Sequence, residues 1–302
     1  MAHGHHHVDA SAGDRRVGLA IAVNLGLTAA QVIGGIFAGS LALIADALHN
    51  FSDAIALIIA FGARRIARRP ADAGMTFGYA RAEVVAALVN YTTLAVLGLY
   101  LVYEAVLRVL DPSPVEGWLI VIIAGVALVV DLATAALTYA MSRTSVNIRA
   151  AFLHNLADAM GSLAVIVAGS LILLFGWTFV DPLVTLLIAG YILLQVGLET
   201  PKVIRILMLA SPQDADTEAV RRDLAALDGV ADVHNLRLWL VAEDQVALDA
   251  HLAIEPDRWG DADKVKADAK RSLAQRHGIR STTLEIECAR HVCHAPDAYG
   301  YD

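Results

Sequence analysis

Hydrophobic and polar positions along the chain fall into two regimes. Six apolar runs come first, at Val17–Ala38, Leu41–Phe61, Ala82–Val106, Trp118–Met141, Ala150–Phe175 and Leu183–Leu207. Each is close to the roughly 20 residues that an α-helix needs to cross a bilayer. The breaks between them carry turn chemistry or charge: Gly39-Ser40, an arginine-rich loop, Asp111-Pro112-Ser113-Pro114, Ser142-Arg143-Thr144 and Gly176-Trp177. After Ser211-Pro212 the period shortens. Leu236–Val241 and Val246–Leu252 alternate as strands do, with Glu243-Asp244 as the hairpin turn. Helices are predicted over Thr217–Leu227, capped by Asp216, and over about Asp261–Arg276, ending near Gly278. Thr282–Cys288 reads as a last strand. This order suits a small α+β domain with helices on one sheet face.

Composition agrees with a membrane protein. Apolar residues make up 57% and charged residues 18%, and the mean hydropathy is +0.57. A soluble domain carries about 25% charged residues. The net charge is −8, which leaves no broad basic surface for nucleic acid. That charge is uneven: residues 211–302 hold 11 Lys/Arg against 18 Asp/Glu, and residues 1–210 hold 12 against 13. The two cysteines, Cys288 and Cys293, exclude a disulfide scaffold. A cleavable signal peptide is a poor reading of the first run, which is too long and has no small-residue cleavage site.

Lys and Arg set the orientation. Arg15/Arg16, Arg64/Arg65/Arg68/Arg69 with Arg81, Arg143/Arg149 and Lys202/Arg205 all fall on one side of a six-span topology, and the other side holds Arg108. The positive-inside rule places both termini in the cytoplasm. The expected fold is a membrane all-α six-helix transmembrane domain followed by a small cytoplasmic α+β domain. The expected divisions are a His-rich tail over 1–14, the six spans over 15–210, the cytoplasmic domain over 211–294 and a C-terminal tail over 295–302.

Ionisable side chains at membrane depth cost about 2.5–3.5 kcal/mol each on insertion scales. Two of the spans carry the same expensive pair. Leu48-His49-Asn50-Phe51-Ser52-Asp53-Ala54 matches Leu153-His154-Asn155-Leu156-Ala157-Asp158-Ala159. Each holds a His with an Asp four residues later, on one face of a helix. Brought together, His49, Asp53, His154 and Asp158 offer four N/O ligands, a set suited to tetrahedral Zn²⁺. No thiolate lies in these spans, which disfavours Cu(I). Asp46, one turn before His49, is a candidate to orient that imidazole or to pack helices. Asp131 is a candidate proton relay or, more simply, a hydrogen bond to a neighbouring helix.

At these residues the chain resembles the cation diffusion facilitator family of divalent-metal transporters, over nearly its whole length. The carriers are Gly39-Ser40-Leu41-Ala42-Leu43-Ile44-Ala45-Asp46-Ala47-Leu48-His49-Asn50-Phe51-Ser52-Asp53, then Phe77-Gly78-Tyr79-Ala80-Arg81-Ala82-Glu83, then the second His-Asp pair. The resemblance implies a homodimeric Zn²⁺/H⁺ antiporter of the cell membrane that moves metal out of the cytoplasm. It makes the quartet the transport site, and His49 at its first position favours zinc over cadmium. Some members carry a further site in the loop between spans two and three. Here that loop holds Asp72 and no His, so Asp72 is an accessory candidate alone. Protons and metal compete for the same imidazole and carboxylate atoms, which gives the antiport a chemical basis. No ATP-binding Gly-x-x-x-x-Gly-Lys run is present.

For the last domain the resemblance implies a ferredoxin-like, metallochaperone-like fold with a cytoplasmic metal site near the dimer interface, held by His234, His251 and Glu287. His251 shares a strand face with Asp249, and Glu285 shares one with Glu287, each away from the apolar positions. His234 is expected just before the first strand. Glu285, Cys288, Cys293 and His294 are possible accessory ligands, the thiols lacking Cys-x-x-Cys spacing. Met1-Ala2-His3-Gly4-His5-His6-His7 is either a zinc-collecting tail or a plain one. Zinc is then expected both as the transported substrate and as a structural or regulatory ion, and no organic cofactor is expected. Rival readings are a facilitator of Cd²⁺, Co²⁺, Mn²⁺ or Fe²⁺ without proton coupling, a metal-sensing scaffold, and a membrane metalloenzyme. The last lacks a His-Glu-x-x-His helix and an open ligand position, so the chain is read as no enzyme.

Overall fold

The computed structural model describes residues 25–142, 146–242, 245–292 and 297–299. By packing, the chain forms two compact units, residues 1–60 with 89–199, and residues 61–88 with 200–302. Among the described residues, five helices are long and apolar enough to cross a membrane: α2 (Leu41–Ala67), α3 (Ala82–Leu110), α4 (Gly117–Ser142), α5 (Val146–Phe175) and α6 (Val180–Leu207). They are preceded by α1, a shorter apolar helix over Leu25–Ala38. Residues 17–24 of the expected first span lie outside the described residues. The fold class is as expected, a multi-helix transmembrane domain followed by a smaller domain of helix and sheet. α4 shows why these segments suit lipid: Asp131 is its one charged residue, and apolar side chains fall on every side of the helix. α2 continues past the expected end at Phe61 to Ala67, because Arg64 and Arg65 in its last turn suit a helix C-terminus.

In the first unit, one end of the helices is tied by backbone capping. Gly39 breaks α1 from α2 with φ +64°, and a Cβ there would stand 2.7 Å from the Pro114 carbonyl oxygen. Ser40 Oγ accepts from the Leu43 N–H at 3.1 Å, the expected N-cap bond. Asp181, fully buried at the start of α6, accepts from Ser40 Oγ at 2.5 Å and from the Leu41 and Ala42 N–H groups at 2.7 and 3.3 Å. Arg108 donates to the Gly39 carbonyl at 2.7 Å. Around this end Ala38, Leu43, Ile120, Val165, Ile172 and Val184 make a buried apolar cluster. α4 and α5 approach closely where two glycines meet: a Cβ on Gly117 would lie 2.7 Å from the Gly169 carbonyl oxygen.

The second unit contains α7 (Thr217–Ala225), β1 (Val230–Ala242), β2 (Gln245–Ile254), a 3₁₀ turn over Pro256–Asp261, α8 (Ala262–Arg276) and β3 (Ser281–Cys288). The Asp216 carboxylate accepts from the Ala219 N–H and caps α7, as expected. The sheet order is β1-β2-β3, with β1 and β2 antiparallel and β2 and β3 parallel. Val220 and Leu224 of α7 and Val265 and Leu273 of α8 pack with Val233, Leu238, Leu248 and Leu252 of the strands. The expected hairpin turn at Glu243-Asp244 lies outside the described residues.

One boundary needs correcting. β1 begins at Val230, six residues before the expected start, so His234 stands inside the strand and not ahead of it. A bulge between His234 and Arg237, with Asn235 at φ +49°, breaks the two-residue alternation that marks a strand in sequence. Val233 to Leu236 are all buried as a result. On the outer edge of β1, the Asn235 and Leu236 N–H groups donate to the carbonyls of Asp297 and Ala298. Tyr299 forms a parallel bridge with Leu236, and its hydroxyl donates to Glu218 at 2.6 Å. Arg221 and then Tyr299 hold the Glu218 carboxyl at about 2, well under the usual glutamate value.

Candidate metal centres

The four residues of the repeated pair converge between α2 and α5. His49 Nε2 lies 3.8 Å from Asp53 Oδ2 and 3.6 Å from Asp158 Oδ1, and His154 Nε2 lies 3.3 Å from Asp53 Oδ2 and 3.6 Å from Asp158 Oδ2. Ligands about 2.0–2.2 Å from one tetrahedral zinc stand about 3.3–3.6 Å apart, so the His–Asp separations are close to those of donors around a shared ion. They are too long for good hydrogen bonds. His154 stands farther from His49, with ring centroids 6.3 Å apart, and outside the compact group of His49, Asp53 and Asp158. Asp53 Oδ2 and Asp158 Oδ1 are buried without a hydrogen-bond partner, an arrangement that costs free energy until something fills it. Asp158 and His49 are 11% and 15% exposed, whereas His154 is 47% exposed, so the site opens on the side of His154. Sequence reasoning does not single out Tyr191 on α6, whose ring meets the His49 ring edge-on at 6.2 Å. Gln195, one turn on, donates to the Tyr191 hydroxyl at 3.2 Å. A polar pair at i,i+4 in the apolar α6 is the signal that marks it.

The second cluster lies on the three-stranded sheet. His234 and His251 are cross-strand partners, their rings 5.3 Å apart, and both face Glu287 of β3. His251 Nδ1 is 2.7 Å from Glu287 Oε1, and His234 Nε2 is 3.4 Å from Glu287 Oε2. Glu285 reaches the rim, 3.4 Å from His251 Nε2, with its side chain 63% exposed. His234 is 1% exposed. Its Nδ1 meets Asp232 at 3.2 Å, while its Nε2 is buried and makes no hydrogen bond. A buried imidazole nitrogen without a partner, turned toward a carboxylate and a second imidazole, fits a metal ligand. Among the described residues these three donors, like His49, Asp53 and Asp158, lie within 4.8 Å of one another.

Comparison with known proteins places both parts of the chain in one family. Residues 17–208 match the cation efflux transmembrane domain, and residues 212–289 match the cytoplasmic domain of cation efflux proteins. The chain belongs to the cation efflux family. It is 32% identical over 303 residues to the metal cation efflux system protein CzcD of Cupriavidus metallidurans, covering 99% of this chain and 93% of that one. It is 33% identical over 292 residues to the zinc transporter ZitB of Pectobacterium atrosepticum, covering 96% and 90%. A Bacillus velezensis protein described as a cadmium, cobalt and zinc/H⁺-K⁺ antiporter is 31% identical over 292 residues, covering 95% and 93%. This cation efflux protein is thus a membrane transporter of divalent metal cations and not an enzyme.

Several other acidic residues singled out in this cation efflux protein, Asp46, Asp131 and Asp72, have partners outside the two clusters. Asp46 does not orient His49: it accepts from Gln31 of α1 at 2.6 Å, and His49 Nδ1 makes no hydrogen bond. Asp131 accepts from Ser162 of α5 at 2.9 Å, the helix-to-helix bond expected of it. Asp72 uses both oxygens within its own loop, accepting from the Tyr79 hydroxyl at 2.7 Å and from the Gly74 and Met75 N–H groups. The Tyr79 hydroxyl and then those N–H groups hold its carboxyl below the ordinary range. Asp72 therefore shapes a turn and is not a free ligand. Cys288 follows Glu287 in β3 and so falls on the face of Leu284 and Ile286, away from the His-Glu cluster. Cys293, His294 and the N-terminal histidines lie outside the described residues.

Proposed function

We propose that the protein exports Zn²⁺ from the cytoplasm in exchange for protons, by alternating access around His49, Asp53, His154 and Asp158. The observation that carries this reading is the set of four His–Asp separations of 3.3–3.8 Å between α2 and α5, which suits a tetrahedral zinc shell. Two imidazoles favour zinc over the oxygen-preferring Mn²⁺. The zinc-transporter name of the ZitB relative agrees with this choice. Each ligand must shed its proton to bind metal, so one site carries the two substrates in turn. Facing an acidic outside, it loads protons and releases zinc. Facing a less acidic cytoplasm, it releases protons and admits zinc.

The arginines at 64, 65, 68 and 69 orient the protein in the cell membrane with both termini in the cytoplasm. His234, His251 and Glu287 hold a second, resident zinc in the cytoplasmic domain, with Glu285 at its rim. Bound there, the ion would supply positive charge between residues of β1, β2 and β3. The protein works as a homodimer, in keeping with the dimerisation role that the family description of this domain carries. Zinc uptake into proteoliposomes with an acid interior tests the reading. Uptake that follows the pH gradient, and disappears in His49→Ala and Asp158→Ala, is expected. Flux indifferent to the gradient would leave an uncoupled facilitator.

A further inference from the structure

One turn from the metal quartet, α1, α2, α4 and α5 share a buried polar network that the transport site does not use. Asp46 of α2, Asp131 of α4, Ser162 of α5, Gln31 of α1 and Asn50 of α2 are all buried, at 9% exposure or less. The Ser162 hydroxyl lies 2.9 Å from Asp131 Oδ2 and 3.5 Å from Asp46 Oδ2. Gln31 donates to the same Asp46 oxygen at 2.6 Å and accepts from the Asn50 amide at 3.3 Å. Gly161 makes room for Asp46, since a Cβ there would stand 3.2 Å from Asp46 Oδ1.

The donor arithmetic of this network is short. A serine hydroxyl has one proton and two lone pairs, so Ser162 can satisfy only one of the two carboxylates by donating. Two buried, ionised carboxylates would share the hydroxyl with one amide as the other donor, a costly arrangement away from water. One added proton resolves it, because Asp46 as the acid donates to Ser162 Oγ while Ser162 donates to Asp131. The titratable groups that act on Asp46 are Asp131, His49 and Asp158, and those acting on Asp131 include Asp158 and His154. α1 faces the network with the neutral Gln31.

We infer that Asp46, Ser162 and Asp131 form a proton-carrying bridge that holds and passes the transported proton outside the metal ligands. In the transfer, the Asp46 O–H bond breaks as its proton bonds to Ser162 Oγ. The Ser162 O–H bond breaks as that proton bonds to Asp131. One proton has then moved from α2 to α4, and the hydroxyl is as it began. The long link, at 3.5 Å, runs between α2 and α5, and the short one runs within the α4–α5 pair. A small displacement of α2 against that pair therefore makes or breaks the wire, which couples proton transfer to helix movement. This inference rests on the zinc/proton exchange proposed above.

Its test uses the purified full chain in proteoliposomes, with zinc as probe and two readouts. One is zinc uptake driven by an acid interior. The other is exchange of labelled for unlabelled zinc at equal pH, which needs no net proton movement and reports an intact fold and site. Asp131→Asn and Ser162→Ala are expected to keep zinc exchange near wild type and to lose driven uptake by about a hundredfold or more, the range for removing a proton-transfer group. The wild-type dependence of uptake on pH is expected to flatten in both. Driven uptake that persists in both variants overturns the bridge while leaving zinc/proton exchange standing. Equal loss of exchange and driven uptake also overturns it, in favour of a packing role. Wild-type uptake indifferent to the pH gradient overturns the exchange itself and the bridge with it.

Discussion

His49 on α2 and Asp158 on α5 face one another at 3.6 Å, Nε2 to Oδ1, and that oxygen has no hydrogen-bond partner. The pair joins two helices through a gap of ligand-to-ligand length and not through a bond of its own. Replacing either residue with alanine is expected to reduce zinc uptake to background while leaving the protein folded, because little direct bonding is lost. Uptake of radioactive zinc beside a thermal melt in detergent reads both. His49→Asp keeps four donors with one fewer imidazole and is expected to admit cadmium more readily, checked by competition between the two ions.

Asp232 holds His234 Nδ1 at 3.2 Å and so fixes which nitrogen faces Glu287. Asp232→Asn is expected to lower zinc affinity at the cytoplasmic cluster by about 10–100-fold, the usual effect of losing a partner behind a metal-bound histidine. Calorimetric titration on an Asp53→Ala background isolates that cluster. Unchanged affinity would remove Asp232 from the site.

Asp181 accepts three bonds at the start of α2. Asp181→Ala strands buried donors at a helix terminus and is expected to cost about 2 kcal/mol, from the loss of a cap and of satisfied buried hydrogen bonds. A lowered melting temperature in detergent checks it, and Asp181→Asn should recover part of the loss by keeping one acceptor.

Glu218 ties the 297–299 segment to the domain through Tyr299. Its carboxyl sits at about 2 in the folded protein against an ordinary 4.5. A depressed carboxyl stabilises the fold above its unfolded value, and that contribution fades as pH falls through the folded one. Glu218→Gln is thus expected to loosen the segment at neutral pH, seen as faster amide exchange at Leu236. The difference from wild type should narrow as the pH drops from about 5 toward 2.

The repeated His-Asp pair was legible because four-residue spacing on a helix is a local property, and because the same expensive pair occurs twice. Capping at Asp216 was legible for the same local reason. His234 was misplaced because the bulge at Asn235 hides the strand: four consecutive buried residues do not alternate. Asp46, Asp181 and Tyr191 could not be assigned partners, since those partners come from α1, from the start of α2 and from His49 across the bundle. Spacing within one helix carries no record of which neighbour it meets. The stretch around Asp72 shows the converse, an acid whose oxygens are claimed within seven residues by its own turn.

The meeting of Gly117 and Gly169 restricts how this bundle can rearrange. A Cβ on Gly117 would stand 2.7 Å from the Gly169 carbonyl oxygen, and one on Gly169 3.1 Å from the Gly117 carbonyl oxygen, so a side chain at either position would push α4 and α5 apart. Close backbone contact of this kind favours movement of the two helices as a pair. His154, Asp158 and Ser162 lie on α5 and Asp131 on α4, so half of the metal's ligands travel with whatever moves that pair.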